Sequence, residues 1–230
     1  MPRHARPTSA PSAGADSGSA PYVACLNLTH RLCVVVGGGP VAARKVTVLR
    51  ASGAQLRVVS PQLTPQLRLL AHSGQLEWRA RPYAPDDLAG ALLVFAATDS
   101  PDVNRQVALD AQAAGALVTV ADAPELGDFS VPATLRRGEL VVAVSTGGGA
   151  PGYARRLREL LEAMLGPEYG DALSLYAQAR PAILAAPKPR QAELWNQLFA
   201  LDLATVIRLG GSAAGQRALT AWRASEGLAE

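Results

Sequence analysis

Apolar positions along the chain alternate between two rhythms. Leu32–Val36 (LCVVV) is an unbroken apolar run, the pattern of a parallel strand buried on both faces. Pro40–Ala51 follows, with Val41, Val46, Val48 and Leu49 supplying the apolar surface of a helix and Gly53 a stop. The succession continues with a strand at Leu56–Val59, a helix at Leu63–Ala71 closed by Ser73-Gly74, and a short strand at Leu76–Trp78. A buried strand at Leu92–Ala96, a helix at Pro101–Ala114 with proline in its first turn, and a strand at Leu117–Val120 complete it. Strands alternating with helices in this way predict a parallel sheet covered by helices on both faces.

After Ala121 the pattern changes. Asp128–Ala133 and Glu139–Ser145 read as two antiparallel strands joined through Arg136-Arg137-Gly138. A helix is expected from Ala150 to Leu165, then helical segments at Asp171–Leu184, Gln191–Leu209 and Ala213–Ala224. Pro181, Pro187, Pro189 and Gly210-Gly211 punctuate them. Residues 1–20, rich in Pro, Ser, Ala and Gly, read as a disordered tail without the apolar segment of a secretory signal. The expected divisions are therefore 1–20, 21–123, 124–165 and 166–230.

Composition narrows the function class. Hydrophobic residues make up 49% of the 230 and charged residues 18%, which excludes a wholly disordered chain. The net charge of +3 is too small to argue for nucleic acid, and no apolar run has the length of a membrane span. Two cysteines, Cys25 and Cys33, cannot build a disulfide scaffold, so a reducing, cytoplasmic setting is expected.

Four stretches carry candidate chemistry. Gly37-Gly38-Gly39-Pro40-Val41-Ala42 lies between a strand and a helix and fits G-x-G-x-x-A, the dinucleotide fingerprint. Gly37 would form the tight turn, Gly39 would admit a pyrophosphate, and Ala42 would let the helix close on the strand. The acid expected at the end of the second strand is replaced by Ser60, which can bond a ribose but does not repel a ribose phosphate. NAD and NADP therefore both remain open on the residues alone. Arg57 could in principle meet that ribose phosphate, but it is read first as a solvent-facing strand residue. Thr98 and Asp99 end the fourth strand, where such sheets bind ligands, although Asp99 or Ser100 could equally cap the helix that follows and contains Asn104. Asp122 ends the fifth strand on the same edge; a carboxylate there could accept a proton or hold a metal ion, or it is a turn aspartate before Pro124. Finally, Ser145, Thr146 and Gly147 open a glycine-rich turn before a helix bearing Arg155, Arg156 and Arg158. With Arg136 and Arg137 these make a surface suited to a polycarboxylate, or simply a solvated helix face. His4, His30 and His72 form no metal motif, and no fixed metal ligand set is expected.

Taken in order, LCVVVGGGPVAARK, LLVFAATDSPDVNRQV and VTVADAPELGDFSVPATLRRGELVVAVSTGGGAP resemble the precorrin-2 dehydrogenase and sirohydrochlorin ferrochelatase family, the dehydrogenase module of siroheme synthase. The resemblance runs from Tyr22 to Leu165. It implies an α/β Rossmann-like sheet, a hairpin region that forms a homodimer, and a small helical domain. It implies oxidation of precorrin-2 with NAD and, in some members, insertion of ferrous iron. By position, Pro40, Val41, Pro61 and Gln62 match cofactor contacts, and Asp122 matches the aspartate central to both reactions. Two positions depart from the family pattern: Ala150 stands where a serine is common, and Gly127 where a cysteine is. The chain is too short to include a methyltransferase domain after this module, so no uroporphyrinogen methylation is expected. The competing readings are a non-catalytic NAD-sensing module and a chelatase without a redox step.

Overall fold

The computed structural model describes residues 21–228; the expected tail at 1–20 lies outside them. The chain divides between Ser130 and Val131 into two units. The first holds five strands: β1 (Leu32–Val36), β2 (Gln55–Val59), β3 (Glu77–Arg79), β4 (Leu93–Ala96) and β5 (Leu117–Val120). It also holds three α-helices: α1 (Pro40–Ala51), α2 (Pro65–His72) and α3 (Pro101–Ala113). The strands form one parallel sheet in the order β3-β2-β1-β4-β5.

The apolar run of β1 follows from burial on both sides. Successive side chains of a strand point to opposite faces. Cys33 and Val35 pack with Ala42, Val46 and Leu67 of α1 and α2, while Val34 and Val36 pack with Val107, Ala108 and Ala111 of α3. Burial pushes the Cys33 thiol up to about 11, against a smaller opposing effect of its hydrogen bond to the Leu93 backbone. The thiol stays protonated and serves as packing. Helix α2 begins at Pro65 rather than Leu63 because Thr64 caps it, its side chain accepting from the Leu67 N–H.

The second unit opens with an antiparallel hairpin of β6 (Ala133–Arg137) and β7 (Leu140–Val144). Gly138, with φ 57°, takes the first of the two turn positions. The first hairpin strand thus starts at Ala133, where Asp128–Ala133 was expected. Asp128 is engaged elsewhere: its N–H donates to the Val118 carbonyl (2.8 Å) and its carboxylate accepts from the Val118 N–H (3.0 Å). Phe129 meets Phe95 edge-to-face at 5.6 Å. These residues therefore fasten the end of the first unit to β5 and β4.

Four helices complete the second unit: α4 (Pro151–Met164), α5 (Glu168–Ala185), α6 (Lys188–Ala200) and α7 (Leu203–Ser225). Leu175, Ile183, Leu194, Leu198, Leu203 and Leu219 form the core of the last three. The single helix expected over Gln191–Leu209 is broken at Asp202, which adopts φ 42° and caps α7 by accepting from the Thr205 N–H. The expected break at Gly211 is present, with φ 75° inside α7. Pro181, read as punctuation, lies inside α5 and does not end it. No single helix among the described residues is long and apolar enough to cross a membrane.

Candidate functional site

The strand order reverses direction on either side of β1, so the ends of β1 and β4 flank a topological switch point. Open α/β sheets bind ligands at such a point. The residues singled out in the first unit come together along this edge: Gly37–Gly39 after β1, Ser60–Gln62 after β2, Ala97-Thr98 after β4, and Asp122 after β5.

The glycine turn is shaped by contacts that exclude side chains. Gly37 has φ 122°, and a Cβ there would collide with the Ala97 carbonyl. A Cβ on Gly38 would overlap the Gln62 carbonyl and sit 2.8 Å from Ser60 Oγ. Gly37 N–H donates to Val59 O (2.9 Å), and Thr64 N–H donates to Gly38 O (2.9 Å). Gly39 differs: nothing lies within 4 Å of the position its Cβ would take. It is the N-cap of α1, no side chain caps it, and Pro40 at the first position has no N–H to leave unsatisfied. The open side and the free first-turn N–H groups suit the pyrophosphate of a dinucleotide. Gly39→Asp, which adds a carboxylate where there is room for one, is expected to weaken dinucleotide binding at least about tenfold by charge repulsion. The melting temperature should hardly change; titration calorimetry and thermal melting check both.

Next to this turn, Ser60 N–H donates to Arg79 O (3.2 Å) and Trp78 Nε1 donates to Ser60 O (2.9 Å). Arg57 is not the solvent-facing residue expected. It is largely buried, pairs with Glu77 at 2.8 Å, and donates to the Asp87 carbonyl at 2.9 Å. Arg79 and Arg81 reach the fully buried Asp87 carboxylate at 2.6 and 2.7 Å. Nothing in the sequence pattern marked this cluster.

Thr98 and Asp122 are joined by Asn104. The Asn104 Oδ1 accepts from Thr98 N–H (3.0 Å) and Thr98 Oγ1 (2.7 Å), and its Nδ2 donates to Thr98 O (3.0 Å) and Asp122 Oδ1 (3.0 Å). Ser100, not Asp99, caps α3. Asp122 is exposed and makes no other side-chain hydrogen bond among the described residues.

Ser145, Thr146, Gly147 and Arg155 lie in the second unit. Ser145 Oγ accepts from Gly147 N–H and Thr146 Oγ1 from Ala150 N–H, each at 3.2 Å, while Gly147 and Gly148 have φ 61° and 86°. Arg155 is exposed and pairs with Glu159 at 3.0 Å, which also meets Arg156 and Arg158. Those guanidinium groups, Arg155 first, hold the Glu159 carboxyl below its ordinary value. Arg137 does not join a basic surface: it donates to the Leu165 and Glu162 carbonyls and closes the end of α4. Among the described residues no group of three His, Cys, Asp or Glu side chains is arranged to hold a metal.

The fold is that of α/β units that bind dinucleotides, with an accessible carboxylate at the end of β5 on the edge that carries the glycine turn, followed by a hairpin-and-helix unit. Residues 24–133 match a family described as putative NAD(P)-binding, and residues 137–164 a family described as sirohaem biosynthesis protein central. A siroheme synthase of Chromobacterium violaceum is 41% identical over 193 residues, 83% of this chain and 41% of its own length. One of Pseudomonas entomophila is 42% identical over 202 residues, 85% of this chain and 44% of its own. The chain therefore spans less than half the length of these relatives. A solved structure described as SirC, precorrin-2 dehydrogenase, superposes with a TM-score of 0.73 at 25% identity, covering 86% of this chain and 98% of that one. The chain is thus similar in sequence to part of these siroheme synthases and in fold to the structure described as a precorrin-2 dehydrogenase.

Proposed function

We propose that this chain oxidises precorrin-2 to sirohydrochlorin with NAD, and that insertion of ferrous iron as a substrate uses the same carboxylate. The observation that carries the reading is Asp122, an accessible carboxylate at the end of β5 on the sheet edge that also carries the uncapped glycine turn. Bound NAD would accept the hydride. Gly37, Gly39 and the α1 N-terminus, with Pro40 and Val41, would hold its pyrophosphate; Ser60, Pro61, Gln62 and Thr98 would flank it. As the substrate loses a hydride to the cofactor, it also loses a proton, which Asp122 takes as general base. For chelation, the two pyrrole protons displaced by iron leave through the same group. The turn at Ser145, Thr146 and Gly147, with Arg155, would meet substrate carboxylates.

NAD is favoured over NADP because Arg57, Arg79 and Arg81, the cations near the end of β2, are all paired with Glu77 or Asp87. A ribose phosphate would find none of them free. The hairpin has no third strand among the described residues, and Val141 is exposed on it. Pairing with a second copy would cover those edges. Sedimentation at micromolar concentration should give twice the chain mass, and a monomer would remove the dimer. Cys25 and Cys33 are both unpaired, in keeping with a reducing, cytoplasmic setting.

Anaerobic incubation with enzymatically made precorrin-2 and NAD should yield sirohydrochlorin absorbance, with a slower reaction on NADP. Ferrous iron added afterwards should convert the product to siroheme. Absence of product with either cofactor, despite measurable cofactor binding, would leave a non-catalytic NAD-sensing module as the better reading.

A further inference from the structure

Asn104 is 1% exposed, and a buried amide is costly unless its hydrogen-bonding capacity is used. Here it is used in full. Both protons of Nδ2 are donated, to Thr98 O and Asp122 Oδ1, and Oδ1 accepts twice from Thr98. The neighbours also fix which way the amide faces. Reversed, its NH2 would oppose the Thr98 N–H, and its oxygen would oppose both the Thr98 carbonyl and a carboxylate. An apolar residue would fill the same space in α3 without these demands. The amide instead joins the ends of two adjacent parallel strands, β4 and β5.

The link is asymmetric at Asp122. Oδ1 accepts from Asn104, while Oδ2 has no side-chain or backbone donor among the described residues. At the other end, Thr98 follows Ala97, whose carbonyl closes against Gly37 of the cofactor turn.

We propose that Asn104 is a positioning residue for the reaction. It fixes the Asp122 carboxylate through Oδ1, presents Oδ2 as the proton-accepting oxygen, and ties that oxygen to the strand end bordering the cofactor turn. This role rests on Asp122 being the base, as proposed above.

The test is a double-mutant cycle on the full chain, with Asn104→Ala made alone and in an Asp122→Ala background. In the otherwise unchanged protein, Asn104→Ala should lower kcat roughly 10- to 100-fold, the range seen for partners that orient reacting groups in metal sites. KM for precorrin-2 and the Kd for NAD should stay within about twofold. In the Asp122→Ala background, the same replacement should cost less than about twofold, because the group it acts on is already gone. Equal losses in both backgrounds, a loss confined to NAD affinity, or an unchanged kcat would each overturn the role. Where Asn104→Ala melts too low to assay, Asn104→Leu fills much the same space while removing the donor to Asp122. Wild-type kcat in that variant would overturn the role equally. Wild-type turnover in Asp122→Ala alone would remove the base assignment itself, a result read without any Asn104 variant.

Discussion

Replacing Asp122 by alanine is expected to lower the rate of precorrin-2 oxidation by about 10²- to 10⁴-fold, the usual contribution of a positioned general base. The Kd for NAD and the melting temperature should change little. Asp122 is exposed and its side chain has one hydrogen-bond partner, so its removal opens no cavity and frees only one Nδ2 proton of Asn104. Asp122→Asn preserves the shape but not the basicity and should lose nearly as much. Stopped-flow absorbance under excess enzyme measures the chemical step directly. Iron insertion, followed separately from supplied sirohydrochlorin, should fall in parallel if one carboxylate receives protons in both reactions. Iron insertion that persists while oxidation is lost would assign the two proton transfers to different groups.

The parts of the fold legible in the sequence were those governed by local rules. β1 and α1 lie where the apolar run, the glycines and Pro40 put them, because both strand faces are buried and proline suits a first helical turn. The cofactor turn was legible for the same reason, as Gly37 needs a positive φ that glycine adopts at little cost. Non-local pairing was not legible. Arg57 looked like a solvent-facing strand residue because nothing nearby in sequence shows that Asp87 lies beneath it. Arg137 looked like part of a charged turn, yet its partners are carbonyls at the end of α4. Asn104 offered only its place one turn into a helix after A-A-T-D, and its partner Asp122 is 18 residues away. Gly38 occupies a variable position of the fingerprint, and its need for a bare Cα comes from Gln62, across the turn. The hairpin strand shifted because Asp128 and Phe129, which fit a strand by composition, are held against β5 and Phe95.

Asp87→Asn should destabilise the protein by about 3 kcal/mol, near the lower end for removing one partner of a buried ion pair. Asp87 is fully buried, accepts from Arg79 and Arg81, and also accepts from the Ala84 N–H at 2.9 Å. The neutral amide keeps the volume but opposes those donors with an NH2 group. The loss stays moderate because Arg81 is 45% exposed and can rehydrate, and Arg79 retains Glu77 at 2.8 Å. Thermal melting should report a fall of roughly 6–12 °C. The same cluster sets an acid limit. Burial alone would raise the Asp87 carboxyl, but the hydrogen bonds from Arg79, Ala84 and Arg81 outweigh it and hold the group below the ordinary carboxylate range. The Glu77 carboxyl is likewise held low: burial opposes the shift, and the hydrogen bonds from Arg57 and Arg79 prevail. A carboxyl whose folded value is depressed stabilises the fold fully above its unfolded value, near 4, and loses that contribution as pH falls through the folded value. Wild-type stability should therefore be level from about pH 7 to 5 and decline below about 4, while the Asp87→Asn protein, which has no carboxyl to protonate there, should decline less. The two melting curves should converge toward acid pH; a constant gap down to pH 3 would show that the cost of the substitution comes from packing and not from the buried charge.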